Sequence, residues 1–185
     1  MLDLLPDGPC GVAGHSMGGA IALKIGAASD KVSHVLTSST VGTSYPLTAA
    51  LDAFWSLPAD RGELRAAMEN MMFDPAAVTD PMIEGRWDLL AQDGYGEYFG
   101  KMFGGDRQRY IDSGLVTDSE FAALATKNIS LIHGTDDKPC PADDTSVKLA
   151  ERLPHATLEL IDDCGHNLPR EFTGRYLAAA TALFG

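Results

Sequence analysis

Ser16, one of Asp136 and Asp137, and His166 are the residues of this 185-residue chain whose types and order suit proton transfer during acyl chemistry. Ser16 sits in Gly14-His15-Ser16-Met17-Gly18, a G-x-S-x-G pattern. An apolar run from Cys10 precedes it and the helix-like run Ala20-Ile21-Ala22-Leu23-Lys24-Ile25 follows. A serine at such a strand-to-helix turn is held in a strained backbone with its hydroxyl projecting from the sheet. The helix N-terminus behind it carries free N–H groups and partial positive charge, which suit a developing oxyanion. The Met17 N–H is the expected donor. Gly14 and Gly18, lacking a Cβ, are expected to let neighbouring backbone approach closely. A serine hydroxyl is a weak nucleophile and needs a base. A histidine can take its proton and return it to a leaving group, and a carboxylate fixes the imidazole tautomer.

Plainer readings exist for each residue. Ser16 could be an idle serine in a glycine-rich turn, and His166 an ordinary loop histidine. Among the other histidines, His15 is too close along the chain to face Ser16 as a base. His34 and His133 fall within strands and read as core or strand-end residues, and His155 falls in a turn. Asp136 and Asp137 are adjacent and point in different directions, so residue type alone does not choose between them. Cys164-Gly165-His166 offers two metal-ligand types, but no second cluster completes a site. Neither a metal nor a cofactor is expected.

The elements that must position these residues can be read in outline. Residues 1–8 look like a helix tail closed by Pro6-Asp7-Gly8-Pro9. A first strand is expected at 10–14 and a helix to about Ala28. Val32 to Ser38 is rich in β-branched residues and reads as a second strand. From Pro46 to Lys127 apolar residues recur at helical spacing in Leu51–Leu57, Glu63–Phe73, Asp80–Gln92 and Tyr95–Met102, punctuated by Pro58, Pro75 and Pro81. Thr79 and Asp80 are candidate N-caps. Strands at 128–133 and 156–161 follow, with a helix around 143–153 between them and a closing helix over 171–184. The expected organisation is a core with the serine turn (1–45), a helical insertion able to act as a lid (46–127), and a core with the acid and histidine loops (128–185). Strand, helix and strand in succession imply an α/β chain with a mainly parallel sheet of about four strands. Ligands bind at the C-terminal edge of such sheets, where Ser16, Asp136, Asp137 and His166 all fall.

Composition narrows the partners. The formal charge of −12 repels polyanions, so nucleic acid and anionic membrane are not expected. Three cysteines, at 10, 140 and 164, form no CxxC pair and suit reduced thiols in the cytoplasm. No basic leader opens the chain and no run approaches a membrane span. A small-molecule substrate is the expected partner.

With these motifs in view, the chain resembles the α/β-hydrolase family over nearly its whole length. Gly14-His15-Ser16-Met17-Gly18-Gly19, Leu131-Ile132-His133-Gly134-Thr135-Asp136-Asp137 and Cys164-Gly165-His166 are similar to its three signatures. The family pattern places the acid three residues after the glycine of the His-Gly pair, which implies Asp137. The segment Met71 to Trp87 is similar to the lid of meta-cleavage product hydrolases. These are serine-dependent enzymes that split a carbon–carbon bond in 2-hydroxy-6-oxo-dienoates from aromatic ring fission. The resemblance implies that Arg86 binds the anionic head, and that Trp87 and Met71 line the acyl pocket. It also implies that His166 assists ketonisation of the dienol. His15 and Asn167 stand where many members carry Asn and Trp. A carboxylesterase, a lactonase or a perhydrolase therefore stays open, as does a non-catalytic hydrolase remnant acting as a binding module.

A usual member carries several strands and helices ahead of the serine turn, including a loop that gives a second oxyanion donor. This chain starts within the helix before the first of its strands. Losing one such donor costs about a hundred- to a thousandfold in rate. The chain as written is accordingly expected to be weakly active or inactive. It is also expected to leave an uncovered edge on the first strand. A separate N-terminal fragment or a second copy of the chain is the protein partner this suggests.

Overall fold

A computed structural model describes residues 2–185. Four parallel strands form one sheet in the order β1-β2-β3-β4. They are β1 (Cys10–His15), β2 (Val32–Ser38), β3 (Asn128–Gly134) and β4 (Thr157–Ile161). Val12 pairs with Val35, Val35 with Ile129, and Leu131 with Leu158. Because all four strands run the same way, their C-terminal ends share one rim, and the loops after β1, β3 and β4 open there. β1 has a single strand neighbour among the described residues, as expected of an uncovered edge.

Both faces of the sheet are covered, which is why its strands read as nearly continuous apolar runs. Val35, Ile129 and Leu131 point to one face, packed with Leu23 of α1 (Met17–Ala28) and with Leu149 and Leu153. Leu36 and Ile132 point to the other, toward Leu168, Phe172 and Tyr176. The helices meeting these faces at the C-terminal end of the chain are α8 (Ser146–Arg152), α9 (Leu168–Glu171) and α10 (Thr173–Phe184). The closing helix breaks into α9 and α10 at Phe172, whose φ of −128° is not helical.

Between β2 and β3 lie only helices and turns. They are α2 (Ala49–Phe54), α3 (Arg61–Glu69), α4 (Asp80–Leu90), α5 (Tyr95–Met102), α6 (Gln108–Gly114) and α7 (Asp118–Leu124). The segment does not pack as one unit. Leu64, Met72, Ile83 and Phe99 form a separate apolar cluster, whereas Phe121 and Leu124 of α7 share the core of α1 and the sheet. The apolar spacing had pointed to four helices; α6 and α7 are additional. For α7 a signal was present, since Thr117 and Glu120 make a reciprocal capping box. Thr79 occupies the N-cap position of α4 without a side-chain bond, and Asp80 instead pairs with Arg65. The first residues form a short 3-10 turn, Leu2–Leu4, in place of a helix tail.

Candidate active site

The turn after β1 is strained, and the surrounding hydrogen bonds hold the strain. Ser16 has φ 57° and ψ −125°. A serine in the left-handed region persists only where neighbours over-determine it. Here the Ser16 N–H donates to the Ser38 carbonyl at 2.9 Å, and the Ser16 carbonyl accepts from Gly19 N–H at 2.9 Å and Val41 N–H at 3.3 Å. Gly14 is required, because a Cβ there would stand 2.0 Å from the Gly18 carbonyl oxygen. The expectation for Gly18 itself is not met. Its missing side chain faces open space, and Gly19 is the crowded residue, where an added Cβ would stand 2.1 Å from Thr40 Oγ1. The crossing is one-sided: the backbone of Gly18 approaches the bare α-carbon of Gly14.

The three separated motifs meet at this turn. Ser16 Oγ lies 2.9 Å from His166 Nε2, and His166 Nδ1 lies 2.8 Å from Asp137 Oδ2. An ionised carboxylate only accepts, so the proton of the His166 Nδ1 side faces Asp137 and Nε2 is left to accept from Ser16. Asp137 is 3% exposed. Its Oδ1 accepts from the Cys140 N–H at 2.8 Å. Asp136 is the exposed partner of the pair, and its carboxylate accepts from the Thr135 hydroxyl. The Met17 N–H opens α1 beside Ser16, where a first-turn amide has no partner within its helix.

Electrostatics follow from burial and from this pairing. Burial alone would raise the Asp137 carboxyl, but the positive charge of His166 and the N–H of His133 hold it down to about 2. Burial alone would lower His166, and the Asp137 charge more than reverses that, so its titration lies above that of a free imidazole. His15 goes the other way. Burial, then the charge on His166, push it down to about 4, so it is neutral at pH 7. Its ring lies 4.9 Å from that of His166, and its Nδ1 is bonded to Ser38 Oγ at 3.0 Å.

His133 does more than the strand reading implied. Its Nε2 lies 3.0 Å from Asp137 Oδ2 and 2.8 Å from the Cys140 carbonyl, and its Nδ1 lies 2.6 Å from Ser146 Oγ. Both Nε2 partners are acceptors, so Nε2 carries the proton and Nδ1 accepts from the serine. The sequence signal was its place directly before Gly134 on the strand that leads to the acid.

A cavity of about 150 Å³ adjoins the histidine loop at Asn167. Met68, Met71, Met72 and Met82 line it, with Arg86 as its charged side chain. Arg86 makes no ion pair among the described residues and lies over the Phe99 ring at 5.9 Å. Trp87 is elsewhere. It packs with Leu64 and Ile83 in the cluster of the inserted helices, with the Arg61 guanidinium 5.0 Å above its ring. Neighbouring residues of a helix point about 100° apart, and here Arg86 lines the cavity while Trp87 does not.

Among the described residues, Asp137, Cys140 and His166 form the group whose ligand-type atoms lie within 4.8 Å of one another. The carboxylate and imidazole atoms are already engaged with Ser16, His133 and the Cys140 N–H, and Cys140 Sγ accepts from the Tyr45 hydroxyl at 3.3 Å. Burial pushes the nearby Cys164 thiol up to about 12, so it stays un-ionised and a poor ligand. No helix among the described residues is long and apolar enough to cross a membrane.

The model of the alpha/beta hydrolase family matches residues 1–180. The chain belongs to that family. It is 30% identical over 177 residues to a 2-hydroxymuconate semialdehyde hydrolase of Pseudomonas sp. strain CF600, covering 95% of this chain and 62% of the relative. It is 29% identical to a 2-hydroxy-6-oxo-2,4-heptadienoate hydrolase of Pseudomonas putida, covering 90% of this chain and 60% of the relative. A solved meta-cleavage product hydrolase from Pseudomonas fluorescens IP01 (CumD) superposes with a TM-score of 0.87 at 27% identity, over 97% of this chain and 66% of that one. This alpha/beta hydrolase chain thus spans about three-fifths of the length of the curated relatives it matches.

Proposed function

We propose that this chain carries the serine-hydrolase centre of a carbon–carbon hydrolase acting on 2-hydroxy-6-oxo-dienoates. The observation that carries the reading is the continuous chain Ser16 Oγ, His166, Asp137, with links of 2.9 and 2.8 Å at the open rim of the sheet. In this scheme Ser16 Oγ bonds to the substrate's 6-oxo carbon as its proton passes to His166 Nε2. The Met17 N–H faces the oxygen that becomes negative. Collapse of the adduct breaks the carbon–carbon bond, and the departing carbon takes the proton from His166. Water then enters by the same base and releases the acid. Asp137 stabilises the imidazolium through both halves.

The substrate class rests on two further supports. Arg86 offers an unpaired guanidinium to a cavity lined mostly by methionines with Phe54 and Val78, which suits a carboxylate joined to an apolar tail. One relative is named for 2-hydroxy-6-oxo-2,4-heptadienoate and another for 2-hydroxymuconate semialdehyde. The inserted helices bearing Arg86 and the methionines are proposed as the lid, over a substrate bound between them and Ser16. An ester substrate is the second reading, favoured by Asn167, whose amide makes the cavity wall more polar.

The test is labelling of Ser16 by a fluorophosphonate, with turnover of 2-hydroxymuconate semialdehyde and of p-nitrophenyl acetate measured alongside. Labelling that disappears in Ser16→Ala, with dienoate turnover exceeding ester turnover, is expected. A folded chain that is not labelled contradicts the serine mechanism, and faster ester turnover contradicts the substrate class.

A further inference from the structure

The loop that carries His166 has little regular structure to hold it. β4 ends at Ile161, and α9 begins at Leu168. On one side of the histidine the Gly165 N–H donates to Glu171 Oε2 at 3.2 Å. On the other side the Asn167 N–H donates to the Met71 carbonyl at 3.1 Å. The same Glu171 oxygen accepts from the Phe73 N–H at 2.7 Å. One carboxylate oxygen therefore joins two backbones, that of the histidine loop and that of the segment just after α3.

The two backbones are in direct contact. A Cβ on Gly165 would stand 2.5 Å from Phe73 N and 2.6 Å from the Met72 carbonyl carbon. A side chain of any size at 165 would force them apart. The segment so fastened includes Met71 and Met72, which line the cavity. The second oxygen, Glu171 Oε1, is buried and has no hydrogen-bond partner. Burying an unpartnered carboxylate oxygen costs stability. Glu171 thus accepts a local cost at the junction of cavity wall and base.

We propose that Glu171 is a positioning residue that couples the inserted helices to His166. While Met71–Phe73 is seated on the loop, His166 is held in hydrogen-bond reach of Ser16. When that segment lifts, the Asn167 N–H loses its Met71 acceptor, Glu171 Oε2 loses the Phe73 N–H that tied it to the cavity wall, and the base loses its register. Movement of the cavity wall is thereby tied to the activation of the serine. The role in catalysis rests on the serine-hydrolase reading above. The mechanical coupling does not.

The test compares Glu171→Ala with Glu171→Gln in the full chain, using the fluorophosphonate and amide hydrogen exchange. Gln retains an oxygen able to accept both N–H groups, whereas Ala retains none. In Glu171→Ala, Ser16 labelling per folded molecule is expected to slow at least about tenfold. Exchange at Asn167, an amide that Glu171 does not touch, is expected to speed by a similar factor. Glu171→Gln is expected to stay within about threefold of the unmodified chain on both. A purely structural role would lower the melting temperature and leave labelling per folded molecule unchanged. If Glu171→Ala does not fold, Glu171→Asp replaces it, since the shorter side chain cannot reach both amides. Labelling at the unmodified rate, or an Asn167 amide as protected as before, overturns the proposal. If the unmodified chain is not labelled at all, the serine reading fails, and Asn167 exchange alone decides the coupling.

Discussion

His133 and His166 share one oxygen of Asp137, Oδ2, at 3.0 and 2.8 Å. His166 faces Ser16, while His133 is fully buried behind the acid and tied to Ser146 and the Cys140 carbonyl. The second histidine thereby fixes the carboxylate to which the first responds. His133→Ala would leave Asp137 Oδ2 one donor short and strand the Ser146 hydroxyl in the core. A loss of about 3 kcal/mol in folding stability is expected, since buried polar groups left without partners carry their full desolvation cost. Denaturant unfolding measures it. A change below about 1 kcal/mol would show that the network is not holding the acid.

The sign of the pH dependence follows from Asp137. His166 must be neutral to accept the Ser16 proton, so labelling rises with pH through its titration. Burial pulls that titration down, and the Asp137 charge pulls it up by more. The midpoint of the ascending limb is expected above pH 6.5, the value of a free imidazole. Asp137→Asn is expected to shift the limb to lower pH and reduce the plateau on the order of ten-thousandfold. A limb centred at or below 6.5 in the unmodified chain would contradict the assigned pairing.

Arg86 gives a prediction that separates head-group binding from packing. A charge-assisted hydrogen bond contributes about 1.5–3 kcal/mol, or roughly ten- to a hundredfold in binding. Arg86→Ala is expected to raise KM for 2-hydroxymuconate semialdehyde by that factor and leave p-nitrophenyl acetate turnover unchanged. Equal effects on both substrates would mean that Arg86 only supports the helix on which it sits.

Two glycines of the serine turn are expected to behave differently. Gly14→Ala puts a methyl 2.0 Å from a backbone oxygen that cannot rotate away. A loss of about 3 kcal/mol is expected. Gly18→Ala meets nothing within 4 Å on a helical backbone. It is expected to change stability by under about 1 kcal/mol, in the stabilising direction. Thermal unfolding of the two variants distinguishes them, and similar losses in both would refute the one-sided crossing.

Much of the fold was legible because its causes are local. Val32–Ser38 alternates faces within a buried strand, and its β-branched residues say so directly. The G-x-S-x-G turn is likewise a local device, because Gly14 is needed by the backbone only four residues on. Legibility fell where the cause was distant. The apolar residues of α6 and α7 pack on α1 and on residues 45–55, far away in sequence, and their spacing within seven residues is too short to show a period. The break at Phe172 between α9 and α10 falls at neither of the breakers beside it, Pro169 and Gly174.

The site divides in the same way. Sequence alone determined which side chains had chemistry to offer and, through parallel strands, that Ser16, the adjacent Asp136 and Asp137, and His166 would open on one rim. Strand direction is enough for that, since every βα turn leaves the sheet at the same edge. Only the tertiary structure decided what each group touches. It placed His133 behind the acid, turned Trp87 into the helical cluster while Arg86 faces the cavity, and brought Glu171 to the amides of Gly165 and Phe73. Those pairings span up to 98 residues. They depend on distances of tenths of an ångström between segments that meet only when the core has packed, and no spacing along the chain encodes them.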